Sequence, residues 1–436
     1  MLLKKFFSNR YFLLSPVLII YSYLILYVGR DEPVGDGHRY WKFAGNLLKG
    51  YYGEIDLKPG FLWSGPGYSI FLLPFKLFDT HIIIPTLFNA GFIFFGLYFF
   101  SKTLTFLKFR HQIIFSYLLI LFNPTLFIYA TYLYTEPLIF FLIALFIYQI
   151  KSFNNKNYVE YLSIGIVAAA IILTKVIFAY VFLFLLSILF LVAIKKKYVL
   201  GYIYPILFAF ILCAPYQIHT YNLTNKLFYW SDAGGDLLYW ISSPHEIDLG
   251  QWQEGNSNFL KETIKNKYAN LDPQMINQIN DIIFENRYKN HKPFLDSLSE
   301  LNGIDKNDRL IKKAITNMKN NKIIFLKNWI LNTSRLFIGY PYSLYFKPPN
   351  TPIRMVFNII LSSFLTISFI FSIIILTLKF SSVDDSIKFL FLFTIIYLLG
   401  TSLMATQSQR FLIPITPAIL FMIAYTMNKT IKIKND

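Results

Sequence analysis

The chain has 436 residues, 55% of them hydrophobic and 19% aromatic, with 15% charged and a net charge of +17. Soluble domains carry about a quarter charged residues, so the long apolar runs define an all-α polytopic membrane protein and exclude a soluble repeat or a fibrous protein. Lys and Arg are dispersed between the runs, which suits topology and contact with membrane lipid and argues against nucleic acid as a partner. The single cysteine, Cys213, rules out an intrachain disulfide and a multi-cysteine metal site.

The first element follows the basic start MLLKKFFSNR and runs to Val28. It is long enough to span and lacks a small-residue cleavage pattern, so it reads as a retained first span with a cytoplasmic N-terminus. Residues 30–52 come next and place Asp31, Glu32 and Asp36 directly after that span. Tyr40, Trp41, Phe43, Ala44, Leu47 and Leu48 recur at three- and four-residue spacing, the pattern of an amphipathic helix lying in the membrane interface. Residues 66–78 are apolar but short for an upright span and contain Pro74 and Lys76; they read as a second interfacial or re-entrant helix.

Spans are expected at roughly 11–29, 82–101, 112–132, 137–150, 158–174, 176–194, 199–217, 355–379, 388–405 and 411–427, about ten in all. Every connection assigned to the inside is then basic, as at Lys102, Lys108 and Arg110, at Lys195, Lys196 and Lys197, and at Lys379 and Lys388. The organisation that follows is a transmembrane module over 1–217 with an outer loop at 30–81, a mostly helical outer region over 218–353, and C-terminal spans over 354–436. Within the large loop, Ile264, Tyr268 and Leu271, and again Leu310, Ile311, Ile315 and Met318, suggest short helices, and Asp272-Pro273 suggests a helix start. The stretch IIFLKNWILNTSRLFIGYPY mixes aromatic and basic residues and reads as a membrane-surface segment.

With that topology Asp31, Glu32, Asp36, Arg39, Glu136, Lys175, His219 and Arg410 fall at the outer face. No phosphate-binding Gly-rich loop, HExxH pattern or G-x-S-x-G elbow is present. Carboxylates with scattered cations suit attack by a hydroxyl or amine on an activated sugar, one acid removing the proton and the cations neutralising a departing lipid phosphate. Each residue also has a plainer reading. Asp36 fits an N-cap. Asp31 and Glu32 fit solvated loop charges, and Glu136 before Pro137 fits a first-turn acid on the helix dipole. Lys175 fits a snorkelling lysine, and His219 an interfacial histidine.

Several segments resemble the GT-C superfamily of integral-membrane glycosyltransferases, in the bacterial branch of protein mannosyltransferases and the lipid A aminoarabinose transferase. GDGHRYWKFAGNLLKGYYG resembles the first outer loop of that family, and SGPGYSIFLLPFKLF the Pro-rich segment after it. NPTLFIYATYLYTEPLIFFL resembles a span start with an acid, and QSQRFLIPITPAILF the final-span entry. ILTKVIFAYVFLFLL and APYQIHTYNLTNKLFYWSDAGGDLLYW occupy the places of a basic segment and of the opening of the large loop. Tyr216, His219 and Asn222 only approximate the Trp and the Arg-Asn pair of relatives.

The resemblance implies a GT-C-like bundle at the cytoplasmic membrane with its site on the outer face. It implies transfer, with inversion, from a polyprenyl-phosphate sugar donor to a glycan, lipid or protein acceptor of the cell envelope. Asp36 is then the base, with Asp31 or Glu32 as runner-up. Arg410 and Lys175 hold phosphate, Glu136 positions acceptor or a cation, and Arg39, Tyr40 and His219 line the substrate site. A divalent cation would assist the carboxylates, although no spacing requires one. The rivals are an O-antigen polymerase or ligase, which would rely on arginines, and a lipid-linked sugar flippase or transporter, which would place ionisable groups near the bilayer midplane.

Overall fold

The computed structural model describes residues 9–154, 157–195, 199–251, 272, 274–275, 278, 290–339, 352–405 and 409–433. Among them every regular element is helical. In chain order these are α1 (Arg10–Val28), α2 (Asp36–Leu48), α3 (Gly67–Leu77), α4 (Ile83–Thr105), α5 (Gln112–Leu121), α6 (Leu126–Ala130), α7 (Glu136–Ser152), α8 (Tyr158–Thr174) and α9 (Ile177–Ala193). There follow α10 (Leu200–Thr224), α11 (Gly234–Ile241), α12 (Lys292–Asp296), α13 (Gly303–Asn320), α14 (Lys322–Ile338), α15 (Pro352–Leu378), α16 (Asp385–Ser402) and α17 (Thr416–Ile433).

Five helices are long and apolar enough to cross a bilayer among the described residues: Arg10–Val28, Ile83–Thr105, Leu200–Thr224, Ile359–Leu378 and Asp385–Ser402. This is fewer than the ten spans read from hydropathy. Helices α8 and α9 coincide with two expected spans but are 17 residues each. The apolar run 112–132 is not one helix. Helix α5 stops at Leu121, and Pro124, which lacks an N–H and clashes with the preceding turn, starts a short α6 instead. Asn123 fills the break, donating to the Leu119 carbonyl (2.7 Å) and accepting from Thr416 Oγ1 (3.1 Å). Buried Asn89 on α4 donates to the carbonyls of Ala130 (3.0 Å) and Tyr132 (2.8 Å), so the irregular chain after α6 keeps its polar groups satisfied inside protein. The expected span 411–427 is shifted towards the C-terminus: α17 begins at Thr416 and runs to Ile433, and Gln409–Phe411 is a single 3-10 turn ahead of it.

One apolar core runs from α1 through α10 and takes in α15, α16 and α17, so the N- and C-terminal helices share an interior. Helix α4 packs against α1 and α7, and α8 against α10. A second, smaller core (Tyr239, Trp240, Ile241, Leu298, Leu310 and Ala405) lies mostly within the region after α10. There α13 forms where Leu310, Ile311, Ile315 and Met318 suggested a helix; Leu310 is buried and Ile311 and Met318 half-buried, but Ile315 is exposed. Asp272 accepts from the Gln274 N–H (2.8 Å), a helix-start contact. The expectation for Ile264, Tyr268 and Leu271 falls outside the described residues, as does the end of the segment closing on Tyr342.

Helices α2 and α3 pack on each other, with Ser69 Oγ donating to the Tyr40 carbonyl (3.1 Å) and the Tyr40 and Tyr68 rings edge to face at 5.2 Å. Helix α3 then leans on the C-terminal end of α8. A Cβ on Gly67 would lie 2.6 Å from the Thr174 N, so only glycine lets the two backbones meet there. That contact brings the start of α3 to the residue before Lys175.

Candidate active site

Four segments far apart in sequence bring their charged ends together. Glu136 is the first residue of α7, preceding Pro137 in the first turn, where a fixed φ favours helix initiation. Lys175 caps α8 in extended geometry before α9 begins. Arg410 sits on the turn before α17, and Asp36 opens α2. The Arg410 guanidinium grips Glu136 in a fork, Nε to Oε1 at 2.6 Å and Nη2 to Oε2 at 3.3 Å, while Nη1 donates to Asp36 Oδ2 at 2.7 Å. Lys175 Nζ donates to the same Glu136 Oε1 at 2.9 Å. Arg39, one turn along α2, reaches Asp36 Oδ1 at 3.5 Å.

Burial grades the cluster. The Glu136 carboxylate is fully buried, the Lys175 and Arg410 side chains are 11% and 20% exposed, and Asp36 is 29% exposed. Glu136 is thus the enclosed anchor and Asp36 the face open to a ligand. A buried carboxylate persists only when paired, and the Arg410 fork supplies that pairing in its strongest form. Lys175 is not a snorkelling lysine, because its ammonium points inward. Nor does Asp36 cap α2. Gly35 is the N-cap and no side chain bonds the first turn, leaving the Asp36 carboxylate for Arg410.

The surroundings hold these groups in register. Gly35 has φ 54°, and a Cβ there would lie 2.2 Å from the Tyr134 hydroxyl. No other residue could carry α2 so close to Tyr134, whose Oη accepts from the Asp36 N–H at 3.4 Å. The Arg410 guanidinium lies over the Tyr134 and Tyr129 rings, at 4.7 and 5.4 Å from their centroids, and these rings stack on each other. On its chain neighbours, Gln409 donates to the Phe337 carbonyl (3.0 Å) and Ser362 Oγ (2.7 Å), and Tyr397 donates to the Phe411 carbonyl (2.7 Å). Arg410 is therefore fixed from α14, α15 and α16 at once.

The remaining expected residues divide. Arg39 and Tyr40 adjoin the cluster; Arg39 lies over the Trp63 ring at 5.3 Å, and burial pushes the Tyr40 phenol up. Asp31 and Glu32 do not join it. Both are exposed, and Asp31 pairs with His81 at 3.5 Å. His219 bonds the Tyr52 carbonyl (2.9 Å), tying α10 to the loop after α2. Two carboxylates already engaged by three cations do not fit a divalent metal, and among the described residues no group of three His, Cys, Asp or Glu is placed to hold a metal ion.

Sequence reasoning missed Asp232. It is 5% exposed and accepts from the Gly60 N–H at 2.6 Å through Oδ2, while Oδ1 has no hydrogen-bond partner. Its N–H donates to Leu62 and the neighbouring Ser231 hydroxyl to Trp63, so it is stitched to the loop that carries the Arg39 stacking partner. Burial pushes its carboxyl up to about 6, only partly opposed by the Gly60 N–H and Arg39. An acid raised in the folded state takes up a proton on folding between its ordinary value and about 6, so its contribution to stability falls as pH rises through that window. Asp232→Asn is therefore expected to flatten the loss of thermal stability between pH 4.5 and 6.5. An unchanged pH profile in the variant would contradict the assignment.

No family model matches the chain, and no curated protein matches its sequence.

Proposed function

We propose that this chain is a GT-C-type membrane glycosyltransferase that moves a sugar from a polyprenyl-phosphate donor to an envelope acceptor at the outer face of the cytoplasmic membrane. The observation that carries the reading is the joining of Asp36, Glu136, Lys175 and Arg410 in one half-open cluster at helix ends. With Arg39 included, three cations face two carboxylates, leaving one positive charge in excess for a phosphodiester. The about ten crossings of this reading combine the five long helices with shorter ones, and α2 and α3 lie in the interface.

In this mechanism the donor phosphate takes over Arg410 Nη1, which frees Asp36 Oδ2. Asp36 accepts the proton of the acceptor hydroxyl as its oxygen bonds the anomeric carbon from the face opposite the phosphate. The carbon–oxygen bond to phosphate breaks, the electron pair leaves with the polyprenyl phosphate, and the anomeric centre inverts. Lys175 and Arg410 stabilise the departing anion. Glu136 stays ion-paired and positions both cations, while Arg39, held against Trp63, adds a third positive charge beside Asp36.

Mass spectrometry of envelope glycans and lipid-linked sugars, from cells with and without the chain, tests the reading. One sugar should disappear from an envelope glycan while its polyprenyl-phosphate donor accumulates. Unchanged glycans together with an unchanged donor pool would overturn it.

A further inference from the structure

A second feature lies at the other end of the bundle. The cluster above sits beyond the C-terminal end of α1 and before α4 starts. A cavity of about 610 Å³ opens instead where α1 begins, α4 has ended and α5 starts, and it is lined by Arg10, Tyr98, Arg110, His111 and Gln112 among others. The 19 residues of α1 separate the two by about 28 Å at 1.5 Å per residue.

The lining contains cations and hydrogen-bond donors, and no acid. Arg10 is aimed by its bond to Gln112 Oε1 (2.8 Å), and the Tyr11 hydroxyl donates to that of Tyr98 (2.8 Å) with the two rings stacked at 4.5 Å. Lys102 lies over the Tyr98 ring at 4.8 Å and adds to the positive field. Arg110 has no ion-pair partner among the described residues. The volume is that of a small-molecule site. Two guanidiniums with hydroxyl and amide groups form the donor set that recognises phosphate, bidentately from Arg.

We infer that this cavity binds a phosphate-bearing anion, supplied either by the headgroup of an anionic phospholipid or by a soluble phosphate compound. The inference is independent of the sugar-transfer reading, since none of its residues belongs to the Asp36–Arg410 cluster. It goes beyond general attraction of basic loops to lipid, because a defined cavity predicts that particular arginines matter and neighbouring exposed lysines do not.

The full chain, purified and delipidated, is tested with two probes: phosphatidylglycerol against phosphatidylcholine by native mass spectrometry, and inorganic phosphate by its effect on thermal stability. Arg10→Gln and Arg110→Gln should each weaken the responding probe about tenfold, the loss of a charge-assisted hydrogen bond. Lys379→Gln, an exposed charge outside the cavity, should leave it unchanged. Arg110→Gln guards against misfolding because it breaks no ion pair among the described residues. Response to phosphatidylglycerol alone identifies a lipid headgroup, and displacement of that lipid by phosphate identifies a soluble ligand. Equal binding in wild type and both arginine variants, or an equal loss in Lys379→Gln, overturns the inference.

Discussion

Arg410→Gln should lower the stability of the folded protein by about 3–5 kcal/mol, the cost of stranding a buried charge. The effect is large because Glu136 is wholly enclosed and takes its shortest contact, and the ion pair on its second oxygen, from one guanidinium fork. Lys175 would be left alone to compensate it through a single oxygen. Arg410→Lys should recover part of the loss, since a point charge returns without the fork. The double variant Arg410→Gln/Glu136→Gln should also be more stable than Arg410→Gln, because the uncompensated carboxylate is gone. Chemical denaturation in detergent measures all of these. An Arg410→Gln protein as stable as wild type would mean that the fork is not formed.

Asp36→Asn should behave in the opposite way, with little loss of stability and a large loss of turnover. Asp36 is 29% exposed, and Arg410 keeps its Glu136 fork without it. Removing a general base lowers the rate by about 10²- to 10⁴-fold. Asp31→Asn and Glu32→Gln should stay within about twofold of wild type, the range expected for surface groups away from a site. Transfer of radiolabelled sugar from polyprenyl-phosphate donor to acceptor, normalised to folded protein, separates these outcomes. Full activity in Asp36→Asn, or loss in Asp31→Asn, would move the base elsewhere.

The helical membrane architecture was legible because apolar runs are long and basic residues separate them. Crossing counts were less so. The run 112–132 has the hydropathy of a span, yet the backbone consequences of Asn123-Pro124 divide it, and only the Asn89 and Thr416 contacts show why the break is stable. Asp36, Glu136, Lys175 and Arg410 stood out in sequence because charge at the end of an apolar run is costly unless used. Their pairing did not, since it depends on α2, α7, α8 and the turn before α17 ending at one level. Asp31 and Glu32 look as acidic as Asp36 in sequence, but the bend before Gly35 leaves them in solvent while the α2 start turns Asp36 inward. Asp232 lies among small and aromatic residues with no periodicity, and burial alone makes it unusual.

Assembly of one anion-receiving centre from four chain-distant helix ends is the premise of the proposed sugar transfer. Titration of polyprenyl phosphate into the purified protein in nanodiscs, comparing wild type with Lys175→Gln, probes that premise most directly. Saturable binding by wild type, weakened about tenfold when the Lys175 charge is removed, is the predicted outcome. Equal affinity in the two folded proteins, or no binding by wild type, would contradict it.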